Sequence, residues 1–131
     1  MKLRIGALIF PILLITTLAH AQLETLRATT PEQRAAAATD FMQNKLELSE
    51  TDTKRVSEIN LASAKKAEPI LKSSDSRFAI GLKLRTINSE RSTELKKLLS
   101  TKQWKTFEQS KSEMRKAVLS TLQSDTAVEV D

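Results

Sequence analysis

The sequence predicts an all-α protein of four amphipathic helices. Glycine is scarce, with 2 residues in 131, and the residue types that favour helices dominate the chain. Apolar residues recur at spacings of three and four in successive segments, whereas the strict alternation of a half-buried strand is absent. With only 4 Phe, 1 Trp and no Tyr, we expect a thin core, formed by one layer of helices or completed by a second subunit.

The N-terminal segment has the composition of an export signal. Lys2 and Arg4 precede an apolar run over residues 5–18, and Ala19-His20-Ala21 has the small-x-small form of a cleavage site. The run is shorter than the about 20 residues of a membrane-spanning helix. We therefore expect residues 1–21 to be a signal peptide, with an uncleaved signal anchor as the alternative, and residues 22–29 to be a flexible segment.

The location follows from the signal and from the absence of cysteine. A chain with no Cys has neither disulfides nor a lipid-accepting residue after the signal, so we expect no stable membrane anchor after cleavage. The protein is expected to be soluble and periplasmic, with secretion beyond the cell as the second choice. Without Lys2 and Arg4, 19 basic residues stand against 16 acidic ones, a net charge of about +3, and nucleic acid is not an expected partner.

Two helices are predicted over residues 31–46 and 50–72. Pro31 suits the first position of a helix, because the N–H at that position has no partner within the helix. Pro69 should kink the second helix, since its ring clashes with the preceding turn while the apolar stripe continues past it. The stripes are Ala35, Ala38, Met42 and Leu46 in the first helix, and Val56, Ile59, Asn60, Ser63, Ala67, Ile70 and Leu71 in the second.

Two further helices are predicted over residues 76–99 and 101–123, and residues 124–131 are expected to be a flexible tail. Because Ser100 follows Leu99 directly, the connection is short, which favours a sharp bend between neighbouring helices. The stripes are Ile80, Leu84, Ile87, Arg91, Leu95 and Leu98 in the third helix, and Trp104, Phe107, Lys111, Met114, Val118 and Leu122 in the fourth.

A short motif occurs at the start of three of these helices. It reads Leu48-Ser49-Glu50-Thr51-Asp52 and Leu99-Ser100-Thr101-Lys102-Gln103, and Thr30 with Gln33 keeps the hydroxyl and the amide without the leucine. In a capping box, the hydroxyl accepts from the backbone N–H three residues on, and the polar side chain there reaches back to the N–H of the cap. The motif therefore predicts helix starts at Thr30, Ser49 and Ser100.

The repetition resembles the LTxxQ motif of the Spy/CpxP family of small periplasmic helical proteins. The resemblance covers about residues 30–118, within a helical domain over residues 30–123. It departs from the family where Ser49 and Ser100 replace Thr and Asp52 replaces Gln. The resemblance implies bent helical hairpins that pair as a curved homodimer. It also implies an ATP-independent holdase-type chaperone, or envelope-stress adaptor, for unfolded or partly folded proteins.

The mature sequence lacks the residues on which most catalytic and metal sites depend. His20, inside the signal, is the single His of the chain, so the usual pairs of nucleophile and base are missing. We therefore predict no enzyme, no catalytic or metal site and no cofactor. Metal-responsive relatives in the resembled family rely largely on His, and only Met42 and Met114 could supply soft ligands here.

Five residues depart from the apolar and polar pattern of their helices. Phe78 and Leu82 lie nearly opposite the main stripe of the third helix, and Leu61 lies off the stripe of the second. Arg91 and Lys111 are charges within apolar stripes. One interpretation is that these residues form a surface for a client or for a second subunit. The alternative is that the three apolar residues pack against neighbouring helices. In that case the two charged residues form ion pairs inside the bundle or reach solvent from the edge of a stripe.

Two other functions stay open at this point. The protein could bind and dampen the periplasmic domain of a membrane sensor kinase, as the resemblance to CpxP implies. It could also be a structural helical protein of the envelope. Exposure of Phe78, Leu82 and Leu61 favours the two binding functions, whereas burial of all three weakens them.

Overall fold

A computed structural model describes residues 12–128, which form six α-helices and, within that range, no strand. The all-α prediction is therefore confirmed. Lys2 and Arg4 of the predicted signal, and residues 129–131 of the predicted tail, lie outside the described residues. The helices are α1 (Ile12–Ala28), α2 (Pro31–Leu46), α3 (Glu50–Leu71), α4 (Arg77–Leu98), α5 (Thr101–Gln109) and α6 (Lys111–Val128).

The predicted number of four helices is wrong, and the first reason is a break in the last of them. α5 ends at Gln109, and the φ of −102° and ψ of 2° at the next residue, Ser110, lie outside the helical region. The Ser110 hydroxyl donates to the carbonyl of Thr106 at 2.7 Å, an interaction that bends helices. α6 then continues to Val128, so that residues 124–128 of the predicted tail are helical.

The second difference is α1, which includes residues 22–28 of the segment that we expected to be flexible. Leu23 packs against Leu71 and Ile80, with Leu26 beside them. Arg27 Nε donates to the carbonyl of Leu71 at 2.7 Å, which satisfies an acceptor at the C-terminus of α3. Two leucines three residues apart and one arginine thus connect this segment to α3 and α4, and α1 also packs against α6.

The capping motif forms where the sequence predicts it. Thr30 and Ser100 make complete capping boxes, with Gln33 and Gln103 as the returning side chains at 2.9 and 3.0 Å. The hydroxyl of Ser49 accepts from the N–H of Asp52 at 3.1 Å. α3 passes through Pro69 and ends two residues later, at Leu71.

The two copies that contain leucine also meet in space. Leu48 and Leu99 are buried in the same cluster, and Gln103 Nε2 donates to the carbonyl of Leu46 at 3.4 Å. Glu47 takes a left-handed conformation, with φ of 51°, between the end of α2 and Leu48. The motif therefore joins the α2–α3 connection to the α4–α5 connection, in addition to starting helices.

Two separate clusters contain most of the large buried side chains, and Leu122 of α6 is buried outside both. The larger cluster joins α2, α3, α4, α5 and α6, and the smaller one joins α1, α3 and α4 at the opposite end of the α3–α4 hairpin. The buried members are Met42, Leu46, Leu48, Val56, Leu95, Leu99, Phe107 and Met114 in the larger cluster, and Leu23, Leu71 and Ile80 in the smaller one. A core divided in this way leaves the middle of the helical layer open.

Candidate functional site

An apolar patch lies at the start of α4. The side chain of Phe78 is 76% exposed and that of Leu82, one turn later, is 47% exposed, whereas Ile80 between them is buried in the smaller cluster. The hydroxyl of Ser76 fixes this end of the helix by accepting from the N–H of Ala79 at 3.2 Å. We call these two side chains the Phe78–Leu82 patch; the neighbouring helices leave both of them open.

Leu61, which we had grouped with these residues, lies on α3 and is half-buried. It lines neither the cleft between α2, α3, α4 and α6 nor the shallow depression beside Arg91, which are both described below. Of the three apolar residues off the stripes, two thus form one exposed surface and the third packs partly within the layer.

A cleft of about 730 Å³ opens between α2, α3, α4 and α6, with α1 at one end. It exists because α2, α3 and α4 present small side chains at their facing positions, which leave the space between the helices unfilled. These small residues are Ala35, Ala38, Ser63, Ala64, Ala67 and Gly81. Larger apolar side chains line its two ends, so that the cleft lies between the two core clusters.

The charge of the cleft has one sign. Five basic residues line it, and none of its lining residues is Asp or Glu. A concave, low-dielectric surface with basic groups focuses a positive potential, which attracts anions. The basic residues are Arg34, Arg85, Arg91, Lys111 and Arg115.

Arg91 is the basic residue of the cleft whose buried Nε has no hydrogen-bond acceptor among the described residues. Its Nη1 donates to Asn60 Oδ1 at 3.4 Å. No carboxylate of the described chain lies within 4.0 Å of Arg91, whereas eight other basic side chains have such a partner. Burial lowers the pKa of the Arg91 guanidinium, which nevertheless stays charged at neutral pH.

The amide that faces Arg91 is held by a chain of hydrogen bonds. Asn60 is 2% exposed, and its Nδ2 donates to Thr39 Oγ1 at 3.0 Å. The Thr39 hydroxyl donates in turn to the carbonyl of Ala35 at 2.8 Å. This chain directs Asn60 Oδ1 towards Arg91 and fixes the position of the guanidinium on the wall of the cleft.

Lys111 lies at the start of α6 and also lines the cleft. Its Nζ is 3.9 Å from Glu108 Oε1 and 5.6 Å from the centre of the Phe107 ring. The structure thus brings Arg91 and Lys111, the two charges within apolar stripes, to one concave surface. Neither Phe78 nor Leu82 lines that surface, so the single surface that we expected is divided into two.

Arg34 lines the same cleft but has a structural role that the sequence pattern did not reveal. Its guanidinium donates to Glu68 and to the carbonyls of Leu26 and Thr29, and Lys72 contacts Glu68 at 2.8 Å. Hydrogen bonds from Lys72 and Arg34 lower the pKa of the Glu68 carboxyl. The sequence does contain one indication of this role: Arg34 lies one turn before Ala38, so its charge falls on the apolar stripe of α2.

Two further properties concern the chemistry that residues 12–128 can support. In this part of the chain, no three or more His, Cys, Asp or Glu side chains come close enough to hold a metal ion. Nor does any helix described there combine the length and the apolar character needed to cross a membrane.

The comparisons with known proteins identify a family without a known activity. The model of the family described as "Domain of unknown function (DUF4890)" matches residues 20–123, and the chain belongs to this family. No curated protein and no solved structure matches the chain. The matched range begins within α1 and ends within α6, so that it includes the residues of both candidate surfaces.

Proposed function

We propose that this DUF4890 protein is an exported, ATP-independent holdase, similar in mechanism to the Spy/CpxP family. It binds unfolded or partly folded proteins and keeps them from aggregating. The observation that carries the proposal is the Phe78–Leu82 patch. Among the described residues, the large apolar side chains that are exposed are these two and Val128, and only these two lie side by side.

The size of the patch fits weak and reversible binding. Full burial of one large apolar side chain is worth about 1.5–3 kcal/mol, and Phe78 and Leu82 are already covered in part. Part of this gain offsets the translational and rotational freedom that association removes, so a single patch binds a client weakly. Binding at this strength releases the client without an energy source, and several patches on an oligomer raise the overall affinity.

Basic residues around the patch favour acidic clients. Arg77 precedes Phe78, and Arg85 lies one turn after Leu82. Lys83 is engaged by Asp75 at 2.6 Å, which leaves Arg77 and Arg85 as exposed charges without an ion-pair partner among the described residues. Positive charge beside apolar surface speeds the encounter with negatively charged unfolded chains.

The proposal includes export with cleavage after Ala21 and a periplasmic location. Leu23, Leu26 and Arg27, which connect α1 to α3 and α4, all follow the cleavage site. Removal of residues 1–21 therefore leaves these contacts in place. Mass spectrometry of the exported protein should give a chain that begins at Gln22, and a chain that keeps residues 1–21 would contradict this part of the proposal.

A homodimer is part of the proposal because the core is small. The two clusters contain eight and three buried residues, and isologous pairing is the commonest way to cover the remaining apolar surface. Light scattering coupled to size exclusion should give twice the mass of one chain at micromolar concentration. A mass of one chain under these conditions would contradict the dimer.

The holdase activity is tested by diluting a chemically denatured client into buffer with and without the protein. Near-stoichiometric protein should suppress light scattering, and the double variant Phe78→Ser with Leu82→Ser should lose most of this effect. Val128→Ser is the matched control, because it removes an exposed apolar side chain that lies apart from the patch. All three proteins should have equal helical circular dichroism, since the replaced side chains are exposed.

Two results would contradict the proposal. Full activity of the double variant would show that the patch is not the client surface. No suppression by the unchanged protein would reject the holdase and favour a folded partner, such as a sensor-kinase domain. A pull-down from periplasmic and membrane extracts would then test for a complex of defined stoichiometry.

A further inference from the structure

We propose that the cleft between α2, α3, α4 and α6 binds a single-chain amphiphile with an anionic headgroup, a carboxylate or a phosphate monoester. The headgroup lies on Arg91, and the acyl chain extends towards α1. This binding is separate from the holdase activity, because Phe78 and Leu82 do not line the cleft.

The headgroup end is defined by the basic residues beside the larger core cluster. Arg91 lies one turn before Leu95, and Lys111 and Arg115 flank Met114; Leu95 and Met114 are both in that cluster. These three cations therefore line one end of the cleft; one of them, Lys111, lies 3.9 Å from Glu108 Oε1, and the other two have no carboxylate within 4.0 Å among the described residues. Arg34 does not compete for the headgroup, because Glu68 neutralises it.

The state of Arg91 itself points to an anion. Arg91 is half-buried, but its Nε is buried and has no acceptor among the described residues. Buried donors are normally satisfied by protein, by water or by a bound molecule. A carboxylate or phosphate can accept from Nε and from a terminal nitrogen of one arginine at the same time. Asn60 Oδ1, which also lines the cleft, accepts from Arg91 Nη1 at 3.4 Å and so helps to orient the guanidinium.

The other end of the cleft is apolar. Leu26, Leu71 and Leu84 line it beside the smaller core cluster, and Gly81 leaves open space there, since a Cβ added to it would meet nothing within 4 Å. Gly81 and Arg91 are ten residues apart on α4, or about 15 Å at the helical rise of about 1.5 Å per residue. This distance accommodates an extended acyl chain of medium length, such as that of dodecanoate.

The acidic residues nearest to Arg91 lie outside the cleft. Glu58, Glu90 and Glu94 line a shallow depression on the other side of the Arg91 side chain, where Glu90 is paired with Lys66 at 3.2 Å. None of the three is within 4.0 Å of the guanidinium nitrogens. The cleft side of Arg91 therefore faces cations, apolar groups and neutral polar side chains, and no carboxylate lines it.

Isothermal titration calorimetry with dodecanoate, below its micelle concentration, tests the proposal. Dodecanoate should bind, and dodecyltrimethylammonium, which has the same tail and the opposite charge, should bind at least tenfold more weakly. Dodecyl phosphate in parallel identifies which anionic headgroup is preferred. Equal affinity for the cationic and anionic amphiphiles would overturn the proposal, because it would show a purely apolar site.

Three variants locate the ligand. Arg91→Gln should weaken dodecanoate binding at least tenfold, and Gly81→Leu, which fills the apolar end, should weaken it to a similar extent. Arg55→Gln is the matched control, since Arg55 is exposed on α3 and does not line the cleft. Unchanged affinity in both cleft variants, with native circular dichroism, would overturn the proposal. The variants Phe78→Ser and Leu82→Ser give a separate readout, so failure of one proposal does not imply failure of the other.

Discussion

Replacement of Arg91 by Met should raise the free energy of unfolding, although it changes a side chain in the interior. The buried Nε of Arg91 has no acceptor among the described residues. A buried polar group without a partner costs about 1–3 kcal/mol. Met has no such group, and its unbranched, adaptable side chain can occupy the space of the arginine stem.

The gain is reduced by the effect on Asn60, whose Oδ1 accepts from Arg91 at 3.4 Å. A hydrogen bond of this kind contributes about 0.5–1.5 kcal/mol, and the long distance places it at the lower end. The net stabilisation is therefore about 1 kcal/mol, which raises the melting temperature of a domain of about 100 residues by roughly 4 °C.

Urea denaturation, followed by helical circular dichroism, measures this difference, provided that the denaturant slope is the same in both proteins. Arg55→Met is the control, because substitution of an exposed arginine should change the stability by less than about 0.5 kcal/mol. A loss of more than about 1 kcal/mol in Arg91→Met would refute the reasoning. It would show that Arg91 is paired within the protein and has no donor available for a ligand.

Three further predictions concern stability. Glu68→Gln should cost about 2 kcal/mol at pH 7, because Arg34 and Lys72 lose a charged acceptor. Since those hydrogen bonds hold the pKa of Glu68 below 4.5, its contribution is complete above about pH 4.5 and is lost as the pH falls through the lower pKa of the folded state. The urea midpoints of the two proteins should converge there, and a constant difference would contradict this. Gly81→Ala should raise the stability by about 1 kcal/mol, because the added Cβ has free space; a lower melting temperature would oppose it. Ser100→Ala should cost about 1 kcal/mol through the lost cap, whereas Ser120→Ala, at an exposed position within α6, should cost much less in the same thermal melt.

Local signals in the sequence were enough to locate most helices. α2, α3 and α4 begin and end within two residues of the predicted bounds. Thr30, Ser49 and Ser76 are the N-caps of these three helices. Capping depends on neighbours three residues away, and such neighbours are visible in the sequence. At the break, the hydroxyl of Ser110 donates to a carbonyl of the preceding turn. Many serines within unbroken helices make the same hydrogen bond, so the sequence alone does not predict the break.

The candidate site depended on contacts that are distant in the chain. Arg91 and Lys111 were recognised as charges within apolar stripes, but the cleft that contains them forms only when α3, α4 and α6 come together. Arg34 and Glu68 are 34 residues apart, and nothing in the local pattern of either residue indicates the other. Packing at this range decides which charge is neutralised and which one stays available.

The cleft and Arg91 are informative because each lowers the stability of the fold. Small side chains on three facing helices forgo the contacts that leucine or methionine would make. The buried Nε of Arg91, which has no acceptor among the described residues, adds a further cost. The helix caps and apolar stripes of the chain otherwise favour the same fold. Such departures from local consistency are expected where a surface is kept for binding. One bound anionic amphiphile would offset both costs, since its tail fills the space left by Gly81 and its headgroup supplies the acceptor that Arg91 lacks.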